Sequence, residues 1–361
     1  MRSRRAESAA LQELVGRIRE LAVEPVNLME VCGSHTMAIA RAGLRRLLPE
    51  NVRLISGPGC PVCVTPPQVI DTMLALTERP EVVIATYGDM IKVPGFRRGD
   101  NLGARRAAGA RVEIVYSPLD AVELAAREKS SEVVFLGVGF ETTAPGTAAA
   151  AKAAAERGLE NFSVFSMLKT VEPALRALIA DPAFNIQGFL CPGHVATIIG
   201  ERGFAYLPQE FHLPGVISGF EPEDILVSVY RLLRQLSDGR AAIENEYTRA
   251  VATEGNPLAM RMIEEVLEPR DDPWRGLGLI PGSGLGMRKE YERFDAQRRF
   301  DAFYGMEEPP TACRCGQIIQ GRLTPRDCPL FGTVCVPEDP VGPCMVSGEG
   351  ACAAAYKYQE V

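Results

Sequence analysis

From Asn27 to about Phe220 the chain alternates short β-branched runs with stretches of helical period. Asn27–Val31, Val52–Ile55, Val82–Thr86, Val112–Tyr116, Val133–Val138, Ser163–Ser166, Gln187–Leu190 and Gly215–Ser218 read as strands. They are near-continuously apolar, as strands buried on both faces must be. Gly33–Leu48, Pro67–Arg79, Asp120–Arg127, Thr147–Arg157 and Pro173–Ala180 read as the helices between them. Such alternation builds parallel βαβ units. The expected fold is α/β, with two Rossmann-like parallel domains over residues 27–128 and 129–240 and a division near Lys129. From Pro222 to about Arg270 the chain reads as mainly helical, with one more strand at Leu277–Ile280 before a Gly-rich loop, Pro281–Gly286. Between Pro309 and Gly350 prolines, glycines and cysteines dominate and no apolar period survives, so ligation is expected to hold this segment. Residues 1–26 with 241–361 make the expected third, cysteine-rich domain.

Composition narrows the function classes. Lys and Arg number 39 against 46 Asp and Glu, a net charge of -7, and neither sign forms a block suited to phosphates, so nucleic acid is not the expected partner. Arg2, Arg4 and Arg5 lead into an amphipathic stretch, Leu11–Leu21, and not into an apolar signal core. No apolar run is long enough to span a bilayer. The expectation is a cytoplasmic chain with no membrane partner. In that compartment ten cysteines, six of them between Cys313 and Cys352, point to metal or redox chemistry and not to a disulfide framework.

Four loops at strand ends carry candidate chemistry. Met29–Thr36 puts Cys32 at a helix N-terminus, where exposed N–H groups would favour a thiolate, with His35 one turn on as a proton acceptor; the plainer alternative is a buried Cys beside a capping Ser34. Gly57–Cys63 contains Cys60-x-x-Cys63, a spacing that suits a reversible disulfide better than half a zinc site. Gly137–Pro145 ends a strand in Glu141, Thr142 and Thr143, but its Gly-x-Gly lacks the third glycine of a dinucleotide fingerprint, and a structural turn explains it equally. Cys191–Val195 places His194 at another strand end; the chain has three histidines, and two of them fall in such loops. Among the C-terminal cysteines four thiolates can hold a cubane, with two further thiols as an exchanging pair, whereas a zinc site with four cysteines usually shows paired Cys-x-x-Cys knuckles.

Together, Met29–Thr36, Gly57–Pro66, Gly137–Pro145, Pro192–Val195 and Cys313–Tyr358 resemble the HypD family of hydrogenase maturation proteins, over nearly the whole chain and in the family's order. The resemblance implies two α/β domains and a third carrying a [4Fe–4S] cluster in surroundings similar to ferredoxin–thioredoxin reductase. The family pattern C-x14-C-x6-C-x16-C falls on Cys313, Cys328, Cys335 and Cys352, the implied cluster ligands. Cys315 with Cys344 matches the disulfide pair near the cluster, and Cys60 with Cys63 a second redox pair. Electrons from an external donor would pass by cluster and thiols towards iron held at Cys32, where the Fe(CN)2CO unit of nickel–iron hydrogenases is assembled. HypC would supply a further iron ligand from its terminal cysteine, and HypE would deliver cyanide made with HypF. His35, Glu141, Thr143 and His194 map onto motifs lining the cleft, with proton-transfer or ligand-orienting roles. Cys191 belongs to none of these sets and reads as a small buried residue. What is implied is a redox-active assembly scaffold and not a conventional enzyme. The competing readings are a general thiol–disulfide reductase, a zinc-held structural scaffold and a nucleotide-dependent enzyme, the last without a Walker lysine motif.

Overall fold

The computed structural model describes residues 2–307 and 310–358. Sheet A runs β2 (Val52–Ser56), β1 (Val26–Glu30), β7 (Gly188–Pro192), β8 (Gly215–Ser218) and β9 (Ile243–Asn245) side by side. Sheet B runs β4 (Val112–Ile114), β3 (Val82–Thr86), β5 (Glu132–Gly139) and β6 (Phe162–Leu168). All neighbouring strands in both sheets are parallel.

The expected division near Lys129 is therefore corrected. Strand β5, beyond Lys129, pairs with β3 before it, and β1 pairs with β7 far along the chain. Sheet B is inserted between β2 and β7 of sheet A, an arrangement invisible to a reading that groups strands by sequence neighbourhood. The third domain also shrinks. Val15 and Ile18 of the N-terminal helix pack with Leu28, Leu190, Ile225 and Val229 of sheet A and its helix Pro222–Ser237, not with the C-terminal segment. Strand β9 joins sheet A, and Leu267–Met287, expected as helix end, strand and loop, is an antiparallel hairpin of β10 (Leu267–Trp274) and β11 (Gly278–Met287). That hairpin lies along the edge of β6, bonded through Lys169 and Gly284, and shields an edge that would otherwise be open.

Alternation along the strands divides the interior. In sheet A, Leu28, Leu54, Leu190 and Val216 face the helices of the outer layer, while Met29, Val31, Phe189 and Ile217 face inward. In sheet B, Val83, Val133 and Phe135 face outward and Ile84, Val134, Leu136 and Phe165 inward. Period two thus sends each strand's two faces into different cores. The inward faces of both sheets share one core with Cys60, Cys63, Trp274 and the C-terminal cysteines, so the cysteine-rich segment is built onto the junction of the sheets. Among the described residues no helix is long and apolar enough to cross a membrane.

Candidate metal and thiol site

Both sheets have their first strand inside, flanked by their second and third, so successive crossovers leave in opposite directions. Ligands gather in the crevice such a reversal opens at the strands' carboxyl ends. In sheet A the reversal lies between β1 and β7, which lead into Cys32 and into the Pro192-Gly193-His194 turn. In sheet B it lies between β3 and β5, and β5 ends at Gly139, two residues before Glu141.

Cys32 caps the helix Gly33–Ala42, and Gly59 presses against it: a methyl on Gly59 would lie 2.2 Å from the Cys32 nitrogen. The Gly33 N–H donates to the Gly59 carbonyl at 3.0 Å, so the Cys60–Cys63 loop lies directly on the Cys32 loop. The Cys63 thiol donates to Cys60 Sγ at 2.6 Å, both sulfurs being buried. The C-terminal segment closes the other side. Ser34 Oγ donates to Glu349 Oε1 at 2.6 Å, Glu349 covers Gly33, and the Ser347 hydroxyl lies near enough to the Cys60 sulfur to favour its ionisation.

The thiols are tuned apart. Burial dominates at Cys32, the Glu349 carboxylate adds to it, and the N–H groups of His35 and Ser34 oppose it; the thiol is pushed up to about 11. The expectation of a lowered Cys32 is thus overturned, because desolvation exceeds what the helix terminus returns. Burial also opposes ionisation of Cys60, but hydrogen bonds from Cys63 and Ser347 outweigh it and bring this thiol below its ordinary value. Cys63 is driven up by burial, by its bond to Cys60 and by the nearby charges of Cys60 and Cys352.

His35 is fully buried and Nε2 lies 2.9 Å from the Gly219 carbonyl and 3.2 Å from that of Ser218. Two acceptors can only be met by an N–H, so Nε2 carries the proton and Nδ1, which has no partner among the described residues, is the bare nitrogen. Burial lowers this imidazole to about 4, so it is neutral at pH 7. His194 lies exposed at the rim, and the protein packed around its inner side lowers its imidazole against the pull of Glu349. Both rings stack on Phe220. Sequence reasoning missed Phe220 together with Ser347 and Glu349; a lone aromatic and two ordinary polar residues carry no motif.

Glu141 and Thr143 take their partners elsewhere. Glu141 accepts the Val171 N–H at 2.9 Å from the start of the helix after β6, and burial raises its carboxyl to about 7. The Thr143 hydroxyl turns back on its own loop, 3.3 Å from the Phe140 carbonyl and 3.4 Å from that of Val138. Cys191 is buried in β7 against Gly215.

Cys313, Cys328, Cys335 and Cys352 line one hollow together with Cys315, Cys344, Leu330 and Phe331. Cys315 and Cys344 are joined as a disulfide with their Cα atoms 6.4 Å apart. The fit to a metal group rests on the donors. Burial first, then the neighbouring charges of Cys313, Cys335 and Cys328, raise Cys352, so four thiolates there require a cationic core. Gly342 keeps the hollow open, since a methyl on it would lie 2.5 Å from Cys313 Sγ. Among the described residues no three His, Cys, Asp or Glu close on the position of a single ion.

Comparison with known proteins follows the same lines. The HypD family profile, described as "Hydrogenase formation hypA family", matches residues 9–359. The chain is 46% identical over 358 residues to hydrogenase maturation factor HypD of Rhodobacter capsulatus, covering 98% of this chain and 94% of that one. It is 46% identical over 362 residues to HypD of Azotobacter vinelandii (98% and 95%) and 45% identical over 352 residues to HypD of Escherichia coli K12 (97% and 94%). With the profile and its relatives spanning nearly its whole length, the chain belongs to the HypD family of hydrogenase maturation factors.

Proposed function

We propose that the chain is a redox-active scaffold on which the Fe(CN)2CO unit of nickel–iron hydrogenases is assembled, with a HypC-type chaperone, HypE, HypF and an external electron donor as partners. The observation that carries this reading is the segment Ser347–Gly350. It follows the disulfide cysteine Cys344, precedes Cys352, and sets Ser347 on Cys60 and Glu349 on Ser34 beside Cys32. One short stretch thus reaches three sets of thiols.

The iron unit is cargo, and Cys32 is its ligand. A thiol kept neutral by burial gains most from a cation that replaces its proton, and a soft sulfur suits low-spin ferrous iron. His35, with its N–H committed to two carbonyls and its imidazole neutral, offers Nδ1 to orient the cargo. Cys313, Cys328, Cys335 and Cys352 would hold a [4Fe–4S] cluster, which when bound supplies one-electron chemistry. Reduction of Cys315–Cys344 would take up two electrons and two protons and free two thiols. Oxidation of Cys60 and Cys63 to a disulfide would release the same number, with Cys60 as the readier thiolate.

The test is the infrared spectrum of anaerobically purified protein, co-produced with its maturation partners, beside a Cys32→Ala control. Cyanide and carbonyl stretches that depend on Cys32 are expected. Their absence from a sample with intact cluster absorption would replace this reading with that of a thiol–disulfide reductase.

A further inference from the structure

Strand β8 ends at Ser218, and the next two residues, Gly219 and Phe220, lie between the two histidine loops. The ring of Phe220 stacks on His35 with centroids 4.7 Å apart and planes at 28°, and on His194 at 4.0 Å and 23°. Two imidazoles so close to one ring and nearly parallel to it could not fit side by side on one face, so they occupy opposite faces. The order is exposed His194, then Phe220, then buried His35.

The loop is fixed from several sides. His35 Nε2–H is held by the carbonyls of Ser218 and Gly219 in the same loop. A methyl on Gly193 would lie 2.4 Å from the Ser218 carbonyl oxygen and 3.3 Å from the Phe220 ring, so only glycine lets the His194 turn sit this close. Tyr247 meets the Phe220 ring edge-on at 5.7 Å and is itself covered by the Arg249 guanidinium at 4.5 Å. A ring clamped in this way presents two fixed faces, and each carries a histidine.

We propose that Phe220 is a positioning residue of the Cys32 site, a flat spacer that sets the orientation of His35 and His194 as one stack. The spacer acts through the histidines and touches no cargo itself. It rests on the reading of Cys32 as the iron ligand.

The experiment compares Phe220→Leu and Phe220→Tyr in the full chain co-produced with its partners, beside Cys32→Ala. Hydrogenase maturation, infrared bands, cluster absorption and thermal midpoint are read for each. Leucine fills similar volume without flat faces. It should lower maturation about tenfold and shift the cyanide stretches, with cluster absorption retained, while tyrosine stays within about twofold of the parent. Leucine performing as well as tyrosine, or both failing equally with a lowered thermal midpoint, would overturn the spacer. If Cys32→Ala is inactive while Phe220→Leu is silent, only the spacer fails; if Cys32→Ala matures hydrogenase normally, the site reading fails and the spacer with it.

Discussion

Glu30, the last residue of β1, is fully buried two positions before Cys32. Its Oε1 accepts from Ser56 Oγ at 2.7 Å, Thr36 Oγ1 at 3.0 Å and Arg45 Nη2 at 3.3 Å, while Oε2 is buried without a partner among the described residues. Burial outweighs the Arg45 guanidinium and raises the carboxyl from 4.5 to about 7. An acid with a raised folded value stabilises the fold fully below its unfolded value, and that contribution is lost as pH rises towards and through the folded value. Across the window from 4.5 to about 7, at about 1.4 kcal/mol per pH unit, the loss approaches about 3 kcal/mol. Glu30→Gln keeps the shape and the Oε1 acceptor but cannot ionise, so its stability should be free of this decline. Its amide nitrogen, placed where Oε2 finds no donor, costs about 1–3 kcal/mol at every pH. Urea unfolding of both proteins from pH 5 to pH 8 should therefore show the variant weaker at the acid end and level with or above the parent at the alkaline end. His35, whose lowered value contributes the opposite slope between about 4 and 6.5, is present in both and cancels. Parallel profiles would show Glu30 ionised throughout, with Arg45 the stronger influence and the burial argument wrong.

Gly59→Ala should lower stability by about 1–3 kcal/mol and hydrogenase maturation with it, because the added carbon meets the backbone of Val31 and Cys32, which cannot swing away. Thermal midpoints beside Gly88→Ala, where nothing lies within 4 Å, check this. Asp272→Asn strands the buried Lys169 ammonium and should cost about 3–5 kcal/mol in urea unfolding, with the Asp272→Leu, Lys169→Met double variant recovering much of it. Iodoacetamide on the fully reduced protein near pH 8 should label Cys60 before Cys63, as peptide mapping would show; equal labelling would contradict the ordering that Ser347 and Cys63 impose.

How much was legible varies with the kind of interaction. Strand interiors were readable because burial on both faces leaves an apolar run, and Val82–Thr86 and Gly215–Ser218 form where expected. Strand partnership was not, since β1 pairs with β7 across an inserted sheet and nothing local marks the insertion. Leu267–Met287 misled because the glycines of Pro281–Gly286 read as loop, when Gly284 and Gly286 lie in a strand beside the Arg270 and Asp272 side chains. The strand-end loops of Cys32, Cys60 and His194 were visible as motifs, and the fold sets them on neighbouring strands of sheet A. The tuning of Cys32 was not visible, because a helix terminus can be seen in sequence and the depth of burial cannot.

The cysteine-rich segment reaches the strand-end loops with a stretch that has little apolar content of its own. The span from Ser347 to Gly350 has no side chain larger than Glu349, yet it is fastened at one end through Cys344 to Cys315 and lies at the other against Cys352. Gly350 sits so close to the Cys344 carbonyl that a methyl there would lie 2.2 Å from its oxygen, so the loop has no slack. The loop is tied by sulfur at its Cys344 end, and its middle reaches the strand-end loops, where Ser347 lies beside Cys60 and Glu349 accepts from Ser34. The C-terminal segment therefore touches the Cys32 and Cys60 loops directly through this short span, with no need for a path across the sheets.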